Sequence, residues 1–305
     1  KLLKTKLSKL EIHVFPDEEK RIRVIDRIVG EDCVVVQSAC PNADKNYMEL
    51  FFIVDALKRS GANSVTAIVP YLGYQRQDHV FRGGEAVSLE VIIKMLEGVG
   101  VDRVITFDLH SIKIPELFKI PVVHLSALPL FAEEIKEILV AQGPANESSK
   151  FNSAKPNQSS KFVLVSPDMG GIRRIKILSE MLNNMPYATI EKNRDLKSGK
   201  IEASQVHGAI KKQAIKFDDM ISTGSTIVAA ANLLSKKGAE EIVVFATHPV
   251  FSGLASRMLQ DSGVEKVFVT DTIDVPKNKQ FPKLEVLSVA GLIAEILMHP
   301  NRNTP

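Results

Sequence analysis

The chain has 305 residues, 45% of them hydrophobic and 25% charged, the proportions of a soluble globular protein. Lys plus Arg number 39 and Asp plus Glu 36, and the resulting +3 is too even to argue for nucleic acid or membrane. Trp is absent and aromatics are 6%, which argues against a base-stacking platform.

At about 150 residues per domain the length suits two domains, each able to bury a core without a metal or disulfide staple. In chain order, residues 33–37 predict the first strand, an apolar run opened by Cys33. Cys33 and Cys40 are the two cysteines. Their spacing fits neither a disulfide framework nor a zinc site, so a reducing cytoplasm is the expected compartment. A helix is expected over 47–60, ending at Gly61, a good residue for a left-handed helix stop. Further strands are expected at 64–69, 103–107, 162–166, 188–191, 214–217, 241–246 and 266–270. Such short runs, apolar on both faces, read as central strands of parallel sheets. Helical patterns lie at 88–98, 172–184 and 226–237, and a last amphipathic helix follows Ser288. The alternation predicts an α/β fold with doubly wound parallel sheets. It runs twice, in an N-terminal domain over 1–125, rejoined by the helix at 288–300, and a C-terminal domain over 126–287. Residues 142–161, rich in Ser, Asn, Lys and Pro, are expected to form a mobile insert. No apolar run reaches membrane-spanning length, and no signal peptide is visible.

The strongest local signal is Asp218-Asp219-Met220-Ile221-Ser222-Thr223-Gly224-Ser225-Thr226. An apolar strand ends in two carboxylates, a loop of Gly and hydroxyl residues follows, and a helix begins. Such a loop presents backbone N–H groups and hydroxyls to a phosphate at a helix N-terminus. The carboxylates would repel that phosphate and suit sugar hydroxyls. The spacing therefore points to a pentose phosphate. A merely capped helix needs only one such residue. The P-loop signature of nucleotide triphosphatases is absent.

This loop resembles the phosphoribosyl pyrophosphate loop of type I phosphoribosyltransferase folds. Further motifs resemble one branch, the ribose-phosphate pyrophosphokinase family. They are Phe15-Pro16-Asp17-Glu18-Glu19, Arg76-Gln77-Asp78, Asp108-Leu109-His110, Ser166-Pro167-Asp168-Met169-Gly170-Gly171, Lys192-Asn193-Arg194 and Thr247-His248-Pro249. Each is weak alone, but they occur in the family's order over nearly the whole chain. The resemblance implies transfer of the diphosphoryl group of ATP to ribose 5-phosphate, with release of AMP. It implies Lys192 and Arg194 as the catalytic cations on a flexible loop, with Arg194 also near the ribose phosphate. Phe15, Asp17, Glu19, Arg76, Gln77, Asp78 and His110 are implied as ATP contacts. Asp218, Asp219, Ser222, Thr223, Gly224, Ser225 and Thr226 are implied for ribose 5-phosphate. His110 and Asp168 are implied ligands of Mg2+. A homo-oligomer, hexamer or dimer, with active sites shared between subunits is also implied. No nucleic acid or membrane partner is expected.

Three departures stand out. Glu18 occupies a position where the family usually has Gly. Ser222 replaces an Asp and Ser225 a second small Gly. A short N-terminal segment is expected to precede Lys1. Two alternatives remain at this level. A non-catalytic regulatory homologue is favoured by Glu18 but not by retention of Lys192, Arg194, His110 and Asp168. A phosphoribosyltransferase would share the Asp-Asp loop but has no need of the other motifs.

Overall fold

The structure is a computed structural model describing residues 2–141, 161–166, 171–194 and 201–299, with backbone alone for 141, 192–194 and 201–204. The chain forms two compact units, Lys1–Ser126 with Val289–Pro305, and Ala127–Ser288.

The first unit opens with an antiparallel hairpin, β1 (Leu10–Val14) and β2 (Lys20–Val24). Apolar and charged residues alternate along it, yet Leu10, Ile12 and Val14 stay 41%, 46% and 54% exposed. There follow β3 (Asp32–Val36), α1 (Ala43–Arg59), β4 (Ser64–Ile68), α2 (Ser88–Gly98), β5 (Arg103–Phe107) and β6 (Val122–Leu125). Strands β3 to β6 pair in parallel, in chain order. β5 is buried on both faces after Arg103, while in β4 Val65, Ala67 and Ile68 are buried and Ser64 and Thr66 only half-buried. Helix α1 buries Tyr47, Leu50, Phe51, Val54 and Leu57, three and four residues apart. Gly61 has φ +86, so the helix ends where the sequence expects it to.

The second unit contains α3 (Leu128–Ala141), β7 (Phe162–Ser166), α4 (Ile172–Met181), β8 (Tyr187–Arg194) and β9 (Ile201–His207). It continues with β10 (Gln213–Ile221), α5 (Ser225–Lys236), β11 (Glu241–Pro249), α6 (Ala255–Gln260), β12 (Lys266–Thr270) and β13 (Leu284–Leu287). The sheet order is β13-β12-β11-β10-β7-β8-β9, parallel throughout except for β8 against β9. Alternate residues feed two apolar layers. Val163, Val165, Val244 and Ala246 pack with Ile227, Ala230 and Leu234 of α5. Leu164, Ile215, Phe217 and Phe245 pack with Phe131 of α3 and Ile175 and Leu178 of α4. Helix α7 (Ala290–Met298) returns to the first unit.

The α/β architecture with parallel sheets is as the sequence alternation predicts. The sequence expectation did not include β1, β2, β6, β9, β13 or α6. β8, β10 and β11 also run further than their apolar cores indicate, because hydrogen bonding continues through polar residues such as Lys192 and Asp218. The expected insert at 142–161 lies, but for Lys161, outside the described residues.

Candidate active site

In the second sheet the strand order reverses between β7 and β10: the chain leaves β7 toward β8 and returns to β7's other side as β10. Open α/β sheets bind ligands beyond the carboxyl ends of strands at such a point. Asp218 and Asp219 lie near the carboxyl end of β10, followed by Ser222, Thr223 and Gly224 and then α5. Gly224 has φ +81, a left-handed conformation that favours glycine. The α5 N-terminus has no side-chain cap on Gly224, and the hydroxyls of Thr223 and Ser225 lie 2.9 Å apart. The opening N–H groups of α5 have no partners within the helix and, with these hydroxyls, suit an anion.

The two carboxylates do different things. Lys216 Nζ donates to Asp218 Oδ2 at 2.9 Å, and the Asp219 N–H donates to Asp218 Oδ1 at 3.0 Å. Burial pushes the Asp218 carboxyl up, and Lys216 offsets this only in part. Asp219, 8% exposed, faces Arg174 of α4, with Nη1 3.9 Å from its Oδ2. Sequence reasoning missed Lys216 and Arg174. The legible signal for Lys216 was a charged residue inside an apolar strand run, two positions before an acid and so on its face.

In the first unit, the segment after β4 carries Gln75, Arg76, Gln77 and Asp78. Arg76 and Gln77 are exposed, and Asp78 Oδ1 lies 2.7 Å from Nδ1 of His79. Gln75 is fully buried, and its Oε1 accepts the backbone N–H of His110 at 2.9 Å. Its Nε2 has no partner. Gln75 therefore ties the Arg76-Gln77 segment to the His110 turn after β5. Asp108 is buried and accepts a hydrogen bond from Ser126 Oγ at 2.9 Å, whereas His110 is exposed. Gln75 was also missed, since a buried glutamine in a loop leaves no local pattern.

Phe15, Asp17 and Glu19 lie in the turn of the β1–β2 hairpin. Phe15 N–H donates to Glu19 O at 2.8 Å, Glu18 N–H to Phe15 O at 2.9 Å, and Glu19 N–H to Asp17 Oδ1 at 3.2 Å. Glu18 has φ +70. That left-handed conformation is the one glycine adopts freely, which gives a physical reason for the residue preferred there.

Lys192 and Arg194 belong to the end of β8, paired with Ala203 and Ile201 of β9. The resemblance placed them on a loop. Here the returning strand 201–207 supplies ladder partners and extends β8 through them, with an irregularity between Glu191 and Lys192. Their side chains, and Asp168, lie outside the described residues. The Thr247-His248 motif is buried: His248 Nδ1 lies 3.0 Å from Thr272 Oγ1, and Thr270 Oγ1 donates to Thr247 O at 2.7 Å. This arrangement builds the sheet end. Among the described residues no three His, Cys, Asp or Glu side chains gather as a metal site, and no helix is long and apolar enough to cross a membrane.

Residues 1–100 match the family model for the N-terminal domain of ribose phosphate pyrophosphokinase. Residues 188–302 match that for the phosphoribosyl synthetase-associated domain. A ribose-phosphate pyrophosphokinase of Gloeobacter violaceus is 37% identical over 93% of this chain and 80% of its own length. Ribose-phosphate pyrophosphokinase 1 of Streptococcus mutans is 36% identical over 98% of this chain and 88% of its own. The crystal structure of phosphoribosylpyrophosphate synthetase from Mycobacterium smegmatis superposes with a TM-score of 0.86 and 33% identity. That match covers 99% of this chain and 93% of the crystallised one.

Proposed function

The chain belongs to the ribose-phosphate pyrophosphokinase family, and from that premise we propose how its residues work. It is a ribose-phosphate diphosphokinase, moving the diphosphoryl group of ATP to the 1-hydroxyl of ribose 5-phosphate. The products are 5-phosphoribosyl 1-diphosphate and AMP. Similarity to synthetases over nearly the full chain carries this reading.

Ribose 5-phosphate binds at the carboxyl end of β10. Its phosphate takes the N–H groups of Ser225 and Thr226 and the hydroxyls of Ser222, Thr223, Ser225 and Thr226. Its ring hydroxyls donate to Asp218 and Asp219. The left-handed Gly224 and the α5 N-terminus support the first assignment. The cations beside the two acids, Lys216 and Arg174, support the second.

ATP binds through Arg76, Gln77, Asp78 and His110, with Phe15 against the base and Asp17 and Glu19 accepting from adenine and ribose. Arg76 suits phosphate through its forked donors. To Lys192 and Arg194 we assign neutralisation of the charge that develops on the transferred diphosphate and the departing AMP oxygen. Positioning and charge neutralisation supply most of the rate in such transfers.

Magnesium binds nucleotides through one or two carboxylates plus phosphates and needs no three-residue cage, so Asp168 suits it better than the His110 imidazole, which suits phosphate as well. His110 and Asp168 would hold it, and it would neutralise charge on the phosphates. We assign the exposed apolar stripe of Leu10, Ile12 and Val14 to contact with a second copy of the chain. The Phe15–Glu19 turn would then serve a neighbouring subunit in a hexamer or dimer.

An isotope experiment tests the reaction. With the β-phosphorus of ATP labelled, the label should appear in the ribose product and none in the AMP. Label retained on the nucleotide would refute the transfer.

A further inference from the structure

Lys216 sits in the middle of β10 and is 0% exposed. Its ladder neighbours are Val165 on β7 and Val244 on β11. Both belong to the apolar layer that includes Ile227 and Ala230 of α5. With a strand on either side, its ammonium cannot reach water along the sheet plane. Burying such a charge is costly unless it is paired. The pairing is to Asp218 Oδ2 at 2.9 Å.

Stability alone gives no reason to place a charge there. Replacing a buried ion pair by apolar residues of similar volume is often neutral or stabilising. The location gives another reason. Asp218 is one of the two acids that open the sugar-phosphate loop, and its Oδ1 already accepts the Asp219 N–H. Lys216 fixes the other oxygen. Each carboxylate oxygen retains a further lone pair for a hydroxyl donor. Asp219 faces Arg174, so each acid has a cation beside it. A pair balanced in this way suits neutral hydroxyls better than a free cation.

We propose that Lys216 is a positioning residue for the sugar: its buried ammonium holds the Asp218 carboxyl in one orientation, ready to accept from the ring hydroxyls of ribose 5-phosphate. This rests on Asp218 being a ribose contact, as assigned above. Lys216 touches no substrate and acts through Asp218 alone.

A double-mutant cycle tests it, with Asp218→Asn, Lys216→Met and the double variant assayed for KM of each substrate and kcat. Near-ultraviolet circular dichroism and thermal melting report the fold. Lys216→Met should raise the KM for ribose 5-phosphate roughly tenfold, the scale of a lost charge-assisted hydrogen bond, and leave that for ATP unchanged. The double variant should be no worse than Asp218→Asn, since the two residues act as one unit. An unchanged KM for ribose 5-phosphate in folded Lys216→Met overturns the proposal. So do equal losses for both substrates, or losses that add in the double variant. If Asp218→Asn itself leaves that KM unchanged, the ribose assignment fails first and takes the proposal with it. Should either single variant not fold, the double variant, which buries no lone charge, decides against the native protein: an unchanged KM for ribose 5-phosphate in it overturns the proposal.

Discussion

Helix α5 has a left-handed glycine at each end, and the two separate backbone strain from substrate binding. Gly224 at its start has φ +81, and Gly238 beyond its end has φ +99. A Cβ on Gly224 would lie 3.5 Å from Leu259 Cγ, an ordinary contact, and one on Gly238 would meet nothing within 4 Å. Neither alanine substitution creates a clash, so each costs the left-handed conformation alone, about 1–2 kcal/mol. For a domain of this size that lowers the melting temperature by about 2–8 °C in both variants. Only Gly224 adjoins the N–H groups assigned to the sugar phosphate. Relaxation there should weaken one such hydrogen bond and raise the KM for ribose 5-phosphate roughly 2- to 12-fold. Gly238→Ala should leave it unchanged. Steady-state kinetics with both substrates, alongside thermal melts, measures all four quantities. Equal KM values in the two variants would refute the phosphate assignment, and no loss of stability in Gly238→Ala would refute the strain argument.

Glu18→Gly should stabilise the β1–β2 turn by about 0.5–1 kcal/mol, because relief of the left-handed conformation exceeds glycine's extra chain entropy. Slower hydrogen exchange at the Phe15 and Glu19 amides would show it, and faster exchange would count against it. Lys192→Ala should lower turnover by roughly 10²-fold or more with the fold intact, as expected for loss of a transition-state contact. Unchanged turnover would remove Lys192 from the mechanism. Burial, only partly offset by Lys216, raises the Asp218 carboxyl above its unfolded value. Its contribution to stability is thus fully present below the unfolded pKa and lost as pH rises through the folded one. Sugar binding needs the carboxylate, so kcat/KM for ribose 5-phosphate should fall in mild acid, above the ordinary carboxylate range. A pH profile lacking that limb would contradict the role given to Asp218.

The buried strands are legible because burial on both faces leaves mostly apolar runs, as at Arg103–Phe107, Phe162–Ser166 and Lys266–Thr270. The β1–β2 hairpin is less legible: its apolar residues alternate with Glu11, His13, Arg21 and Arg23 as in a one-sided strand, but without the apolar run of a buried one, and its first strand is exposed throughout. The sugar-phosphate loop was legible because strand end, acids, glycine and helix start are contiguous in sequence. Its supports were not. Arg174 reaches Asp219 from another helix, and Gln75 reaches His110 across 35 residues. Lys216 lies only two residues from Asp218, but its burial follows from the strands on either side, which local sequence does not reveal.

The most direct measurement is of stoichiometry. The purified protein is incubated with ATP, magnesium and ribose 5-phosphate, and all nucleotides and the ribose product are quantified. The expected result is one AMP for each 5-phosphoribosyl 1-diphosphate, both dependent on ribose 5-phosphate. ADP in place of AMP, or no AMP above background, would contradict diphosphoryl transfer.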